Sequence, residues 1–175
     1  QRRGNHNRLG FAVQLCYLRY PGFALPTDAE PPASLLNIVG RQLRIAPDIW
    51  PQYAQRPETR REHLLELQAW LKLTPFAAAD YRRFVHQLAE LAQQTDRGIV
   101  LAEALVELLR QQRIILPAID VIERVCGEAL TRGTRQVYEM LTAPLIDHHR
   151  RALDGLLAIR EGTKGSGLIW LRQPP

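Results

Sequence analysis

Cysteine occurs only twice in the 175-residue chain, at Cys16 and Cys126, and no paired-cysteine zinc spacing is present. Both thiols fall on apolar helical faces. They read as buried free thiols in a reducing cytoplasm, which sets aside a disulfide scaffold. Lysine is as scarce: Lys72 and Lys164 stand among 23 basic residues, and the rest are arginine. No glycine-rich loop ends in a lysine, so a phosphate-cradling nucleotide site is not indicated. No apolar run approaches the ~20 residues needed to span a bilayer, and no signal peptide opens the chain. No convincing strand, low-complexity segment or clear repeat is found. The chain opens at Gln1 without a methionine, which leads us to expect a piece of a longer protein.

What is present is helix. Apolar residues make up 46% of the chain, enough for one or two globular domains with their own cores. The formal charge is +5, with a sequence pI near 9.7. An arginine-rich excess suits phosphates and guanine edges, although GC-rich coding also produces one. Residues 7–19 carry two apolar stripes, as a central helix would, and Pro21-Gly22 stops it. A proline-rich loop follows, then a helix over 32–43 and a short turn over 47–54. Pro57 opens a helix that reaches about Lys72, with Leu64, Leu67 and Leu71 inward. The segment 72–76 (KLTPF) is the best internal boundary, with Thr74 as cap and Pro75 as first residue of the next helix. Helical spacing then continues to about Gln94, from 99 to 112, and from 144 to 160. The closing LIWLR (168–172) is too apolar for a free tail and should dock on this domain or on the next domain of a parent chain.

The most informative stretch is 114–141. Pro117 suits a first helical residue, and Ile119, Ile122, Val125, Cys126, Ala129 and Leu130 form one face. Gly133 can end that helix in a left-handed conformation, and Thr134 can cap a second one burying Val137, Tyr138 and Leu141. This spacing predicts a helix-turn-helix-like unit at 117–142. Arg132, Thr134, Arg135 and Gln136 would stand at its joint without a carboxylate among them, as a DNA groove requires. A plain α-hairpin with a solvated corner gives the same pattern. A second basic helix start carries Arg56, Thr59, Arg60, Arg61 and His63. Cations there oppose the helix dipole, so either a phosphate or the neighbouring Glu58 and Glu62 must compensate them. Arg2, Arg3 and Arg8 could hold a phosphate or be solvated.

Little points to catalysis. Asp147-His148-His149 is the one cluster that could ligate metal, but adjacent helical residues point about 100° apart. His63 and His86 have no visible catalytic partner, and no acid/base pair is set apart.

Longer strings carry more weight. Residues 3–22 (RGNHNRLGFAVQLCYLRYPG), 56–71 (RPETRREHLLELQAWL), 113–142 and the closing GLIWLRQPP resemble the N-terminal region of Tn-three-type transposases, the replicative class II bacterial enzymes. The resemblance implies a helical region that recognises terminal inverted repeats. It also implies that the RNase H-like domain, with its acidic metal-binding triad, lies far downstream, so no catalytic residue can be carried over to a position here.

Together these readings predict an all-α chain of about eight helices in two consecutive small modules of helix-turn-helix type. They would cover 1–73 and 74–162, with a linker-like tail at 163–175. The expected partners are double-stranded DNA at transposon ends, the downstream transposase domains and a second copy of the chain, with no membrane. No cofactor is expected in this part, divalent metal being confined to the catalytic domain. The expected location is the bacterial cytoplasm, at the nucleoid. The alternative is a helical interaction or dimerisation module without DNA contact. A hydrolase using Asp147 and the two histidines is the remotest reading.

Overall fold

A computed structural model describes residues 4–26, 28–53, 55, 57–159 and 165–172. Among them the chain forms eight α-helices and one 3₁₀ helix, and no strand beyond two isolated bridges. In order these are α1 (Asn5–Arg19), α2 (Ala33–Leu43), the 3₁₀ helix Pro47–Gln52, α3 (Pro57–Leu71), α4 (Ala78–Leu91), α5 (Gly98–Gln111), α6 (Ile119–Thr142), α7 (Asp147–Leu157) and α8 (Gly167–Leu171). The fold is therefore all-α.

Helix α1 is central to the first apolar cluster, which joins Leu9 and Val13 to Leu25, Val39 and Ile45. Gly10 lets the Tyr53 ring lie on the α1 backbone, because a Cβ there would overlap the ring. Gln14 is fully buried on the same helix, and its amide exchanges two hydrogen bonds with the Leu25 backbone, at 3.2 and 3.4 Å. An amide enclosed in this way must be satisfied, and Gln14 thereby ties the loop after α1 to the helix. Tyr20, just past the end of α1, is 76% exposed.

The second cluster gathers Phe84, Val85 and Leu88 of α4, Leu101, Leu105 and Leu109 of α5, and Ile122, Val125, Cys126 and Ala129 of α6. Apolar side chains three and four apart on each helix make the facing stripes. Thr74 does not cap α4. That helix starts at Ala78, where Asp80 accepts from the Ala77 N–H at 2.9 Å. Thr74 instead pairs with the chain after α5: its N–H donates to Arg113 O and its carbonyl accepts from Ile115 N–H, at 3.0 and 2.9 Å.

The largest departure from expectation concerns 117–142. Helix α6 runs unbroken from Ile119 to Thr142, so the helix-turn-helix-like unit with a stop at Gly133 is absent. Gly133 is buried where α6 crosses the end of α4. A Cβ there would come within 2.8 Å of the Ala89 carbonyl and the Ala92 Cβ. The glycine permits a close crossing of two helices and ends neither. Helix α7 packs on α8, and among the described elements on no other. The LIWLR segment accordingly lies largely in α8, against α7, with Leu168, Ile169 and Leu171 still exposed.

Candidate nucleic-acid interface

The basic start of α3 divides between inside and outside. His63 was expected to face a groove, but it is buried. Its ring meets Phe11 edge-on at 5.3 Å and stacks on Tyr53 at 5.9 Å, with the Tyr53 hydroxyl 3.4 Å from Nδ1. This enclosure gives His63 a packing role and takes it off any outer face. The sequence held the signal: His63, Leu64, Leu67 and Leu71 share one helical stripe. Thr59 and Arg60 sit half-buried at the edge of that stripe, while Arg61 points outward. Burial pulls the Arg60 guanidinium below its ordinary pKa, against the opposing pull of Tyr53 and Asp28. Burial likewise pushes the Tyr53 hydroxyl up to about 12, with Arg60 acting the other way. Arg2, Arg3 and Arg56 lie outside the described residues. Arg8 is exposed on α1.

On α6 the four candidates share one continuous helix instead of a joint. Thr134 and Arg135 are exposed, and Arg135 stands 3.7 Å from Glu139 in an exposed (i, i+4) pair. Such a pair is weak in water and can open to another anion. Gln136 accepts from Gln93 of α4 at 2.9 Å, which holds it against the body. Arg132 is half-buried, and its Nε is enclosed without a hydrogen-bond partner.

Sequence reasoning missed a third basic region. The segments 19–22, 71–74 and 110–115 meet between the two clusters. Arg110 donates to Pro21 O through Nε and Nη2, at 3.4 and 3.0 Å, and its guanidinium lies 5.4 Å over the Tyr20 ring. Arg113 donates to Leu71 O at 3.3 Å, beside Lys72. Nothing local in the sequence marks these contacts, which span about 40 to 90 residues. Beside them Pro21, Phe23, Pro26, Leu116 and Ile122 line an apolar groove of about 590 Å³.

No group of three or more His, Cys, Asp and Glu side chains that could hold a metal ion occurs among the described residues. His148 and His149 are ring neighbours at 5.9 Å, both exposed, and they form no three-ligand group with Asp147. No helix among the described residues is long and apolar enough to cross a membrane.

Comparison with known proteins identifies relatives across the whole chain. Residues 1–129 match the family model described as "Domain of unknown function (DUF4158)". All 175 residues align at 53% identity with the transposase for transposon Tn501 of Pseudomonas aeruginosa. They align at 55% with the transposase for transposon Tn3926 of Escherichia coli, and at 31%, over 177 aligned positions, with that for Tn1546 of Enterococcus faecium. The chain spans 18% of the length of each of these relatives, so most of a transposase, its catalytic part included, lies outside the matched segment. The chain belongs to the DUF4158 domain family, and its relatives are transposases of the Tn-three type.

Proposed function

We propose that this chain binds double-stranded DNA at the terminal inverted repeats of a transposon, as the end-recognising part of a bacterial transposase. The observation that carries this reading is the end-to-end match to transposases in a chain with a formal charge of +5. The side chains proposed to reach DNA are Arg8, Thr59, Arg60, Arg61, Arg132, Thr134, Arg135 and Gln136, with Arg2, Arg3 and Arg56. His63 acts behind them by packing α3 on α1. The chemistry fits: arginine forks reach guanine edges or phosphates, and hydroxyl and amide groups complete the readout. Binding itself needs no divalent metal, which serves strand chemistry elsewhere in the full-length enzyme. The site of action is the DNA of the bacterial cytoplasm.

An electrophoretic mobility shift on the terminal repeat of Tn501 against a scrambled duplex, at two salt concentrations and with chelator present, tests this. The expected result is preferential retention of the repeat, weakened by salt. Equal retention of both duplexes would reject sequence-specific recognition. Arg135→Ala resolves its contact type. Loss of ~1–3 kcal/mol on the repeat alone marks a base contact, and an equal loss on both duplexes marks a phosphate contact. No loss on either removes Arg135 from the interface.

A second reading, an interaction module, has its own support. Tyr138, Leu141, Ile146, Leu157, Ile159 and Leu171, near or within the last three helices, are all more than 60% exposed. Apolar exposure on that scale suits a protein partner, either a second copy or the rest of the transposase.

A further inference from the structure

We propose that the joint between the two helical clusters is itself a phosphate-binding surface for the DNA duplex, carried by Lys72, Arg110 and Arg113 with Tyr20 beside them. The inference rests on the DNA-binding reading and adds a third contact region to it. It starts from how each guanidinium is held. Three arginines elsewhere meet carboxylates: Arg83 meets Asp80 at 2.7 Å, Arg124 meets Asp120 at 3.3 Å and Arg135 meets Glu139 at 3.7 Å. At the joint the partners are neutral. Arg110 is fixed by Pro21 O and Arg113 by Leu71 O, so both are aimed without being neutralised. Each keeps unused N–H groups on an exposed side chain. One turn before Arg110 on α5, the carboxylate of Glu107 already accepts from Gln111 at 3.0 Å.

The backbone adds a second observation. Lys72 and Arg113 both adopt left-handed φ values, 55° and 57°, just after the ends of α3 and α5. Glycine or asparagine enters that conformation with less strain. At both ends a cation stands there instead, where the carbonyls of the last helical turn favour positive charge and where it is held out in solvent. Tyr20, 76% exposed under the Arg110 guanidinium, extends the surface with a flat ring and a hydroxyl donor. Fixed donors without a counter-charge, spread over three segments, match a run of phosphates better than a single anion. They match the charged backbone of DNA, whose contacts position a protein without reading sequence.

The test uses the full 175-residue chain and two variants that spare the joint. Lys72→Asn suits the left-handed backbone and removes only charge. Arg113→Gln removes charge but keeps a donor for Leu71 O. Affinity for the Tn501 terminal repeat and for a scrambled duplex is measured across a salt series, with thermal unfolding as a control on the joint. Each variant should lower the salt slope by about one and weaken both duplexes by the same factor. The double variant should lower it by about two. An unchanged slope in the double variant, with repeat binding retained, overturns the joint as a phosphate surface and leaves the DNA-binding reading standing. Lost affinity only on the repeat overturns it as well, since that marks base readout. Failure of the unaltered chain to bind any duplex overturns both.

Discussion

At the scale of single residues, the polar and aromatic side chains packed around the aliphatic first cluster take roles that depend on what encloses them. Tyr53 lies over Gly10 and stacks on His63, and burial raises its hydroxyl to about 12. The sign of the resulting pH effect comes from linkage. An unfolded tyrosine ionises near pH 10, whereas the folded one keeps its proton until about 12. The stability that this residue contributes is therefore intact below pH 10 and is lost as pH climbs from about 10 to about 12. Urea unfolding of Tyr53→Phe should show a shallower decline over that interval than the parent chain, and parallel declines would remove Tyr53 as the cause. The two thiols obey the same logic. Burial raises both Cys16 and Cys126, so neither should react quickly with thiol reagents near neutral pH.

At the scale of elements, helix α6 carries two glycines with opposite surroundings. A Cβ at Gly133 would strike the Ala89 carbonyl and Ala92 at 2.8 Å, whereas one at Gly127 would meet nothing within 4 Å. Gly133→Ala should destabilise the fold by ~1–3 kcal/mol through overpacking, because its neighbours are largely backbone. Gly127→Ala should stabilise it by roughly 0.5–1 kcal/mol through helix propensity. Denaturant midpoints give both signs, and a neutral Gly133→Ala would refute the close crossing. The same pair shows what the sequence makes legible. Helix starts at Pro57 and near Pro32, and the stop at Pro21-Gly22, depend on local backbone chemistry and can be read directly. A glycine within an apolar stripe is ambiguous, since a helix end and a close crossing both demand the absent Cβ. The deciding residues, Ala89 and Ala92, lie on another helix. Thr74 fails as a cap for a related reason: its backbone pairs with residues that arrive some 40 positions later. Among the candidate contacts, Arg61 and Arg135 are exposed. His63 carries two opposed signals, a ring that can be charged and a place on the Leu67 stripe, and the stripe decides its burial.

At the scale of the whole molecule, two apolar clusters meet through backbone and guanidinium contacts. Leu116 N–H donates to Gly22 O at 2.9 Å, next to the Arg110 and Arg113 ties. Arg110→Ala removes two of those bonds to Pro21 and should loosen the pairing of the clusters while leaving each folded. Such a change would appear as a broadened or split thermal transition, and a single unshifted transition would show that the tie carries no weight. The exposed apolar side chains from α6 to α8 belong to this scale as well. If they receive a second copy, sedimentation should show a mass rising above 20.0 kDa with concentration, and Leu141→Asp with Leu157→Asp should restore the monomer. A mass fixed at the monomer throughout would direct that surface to a different chain segment.

Helix α6 has one further consequence, because it is continuous across Gly133. Its 24 residues make a rod about 36 Å long, rooted at Val125 in the second cluster and bearing Arg135 beyond it. With no pivot in between, a load applied near Arg135 passes through the Gly133 crossing and the Gln93–Gln136 bond on α4 to the Val125 packing. Any ligand gripped there must accept the tilt and azimuth that the buried end dictates, so altering the aliphatic contacts of the root would re-aim the tip without touching it.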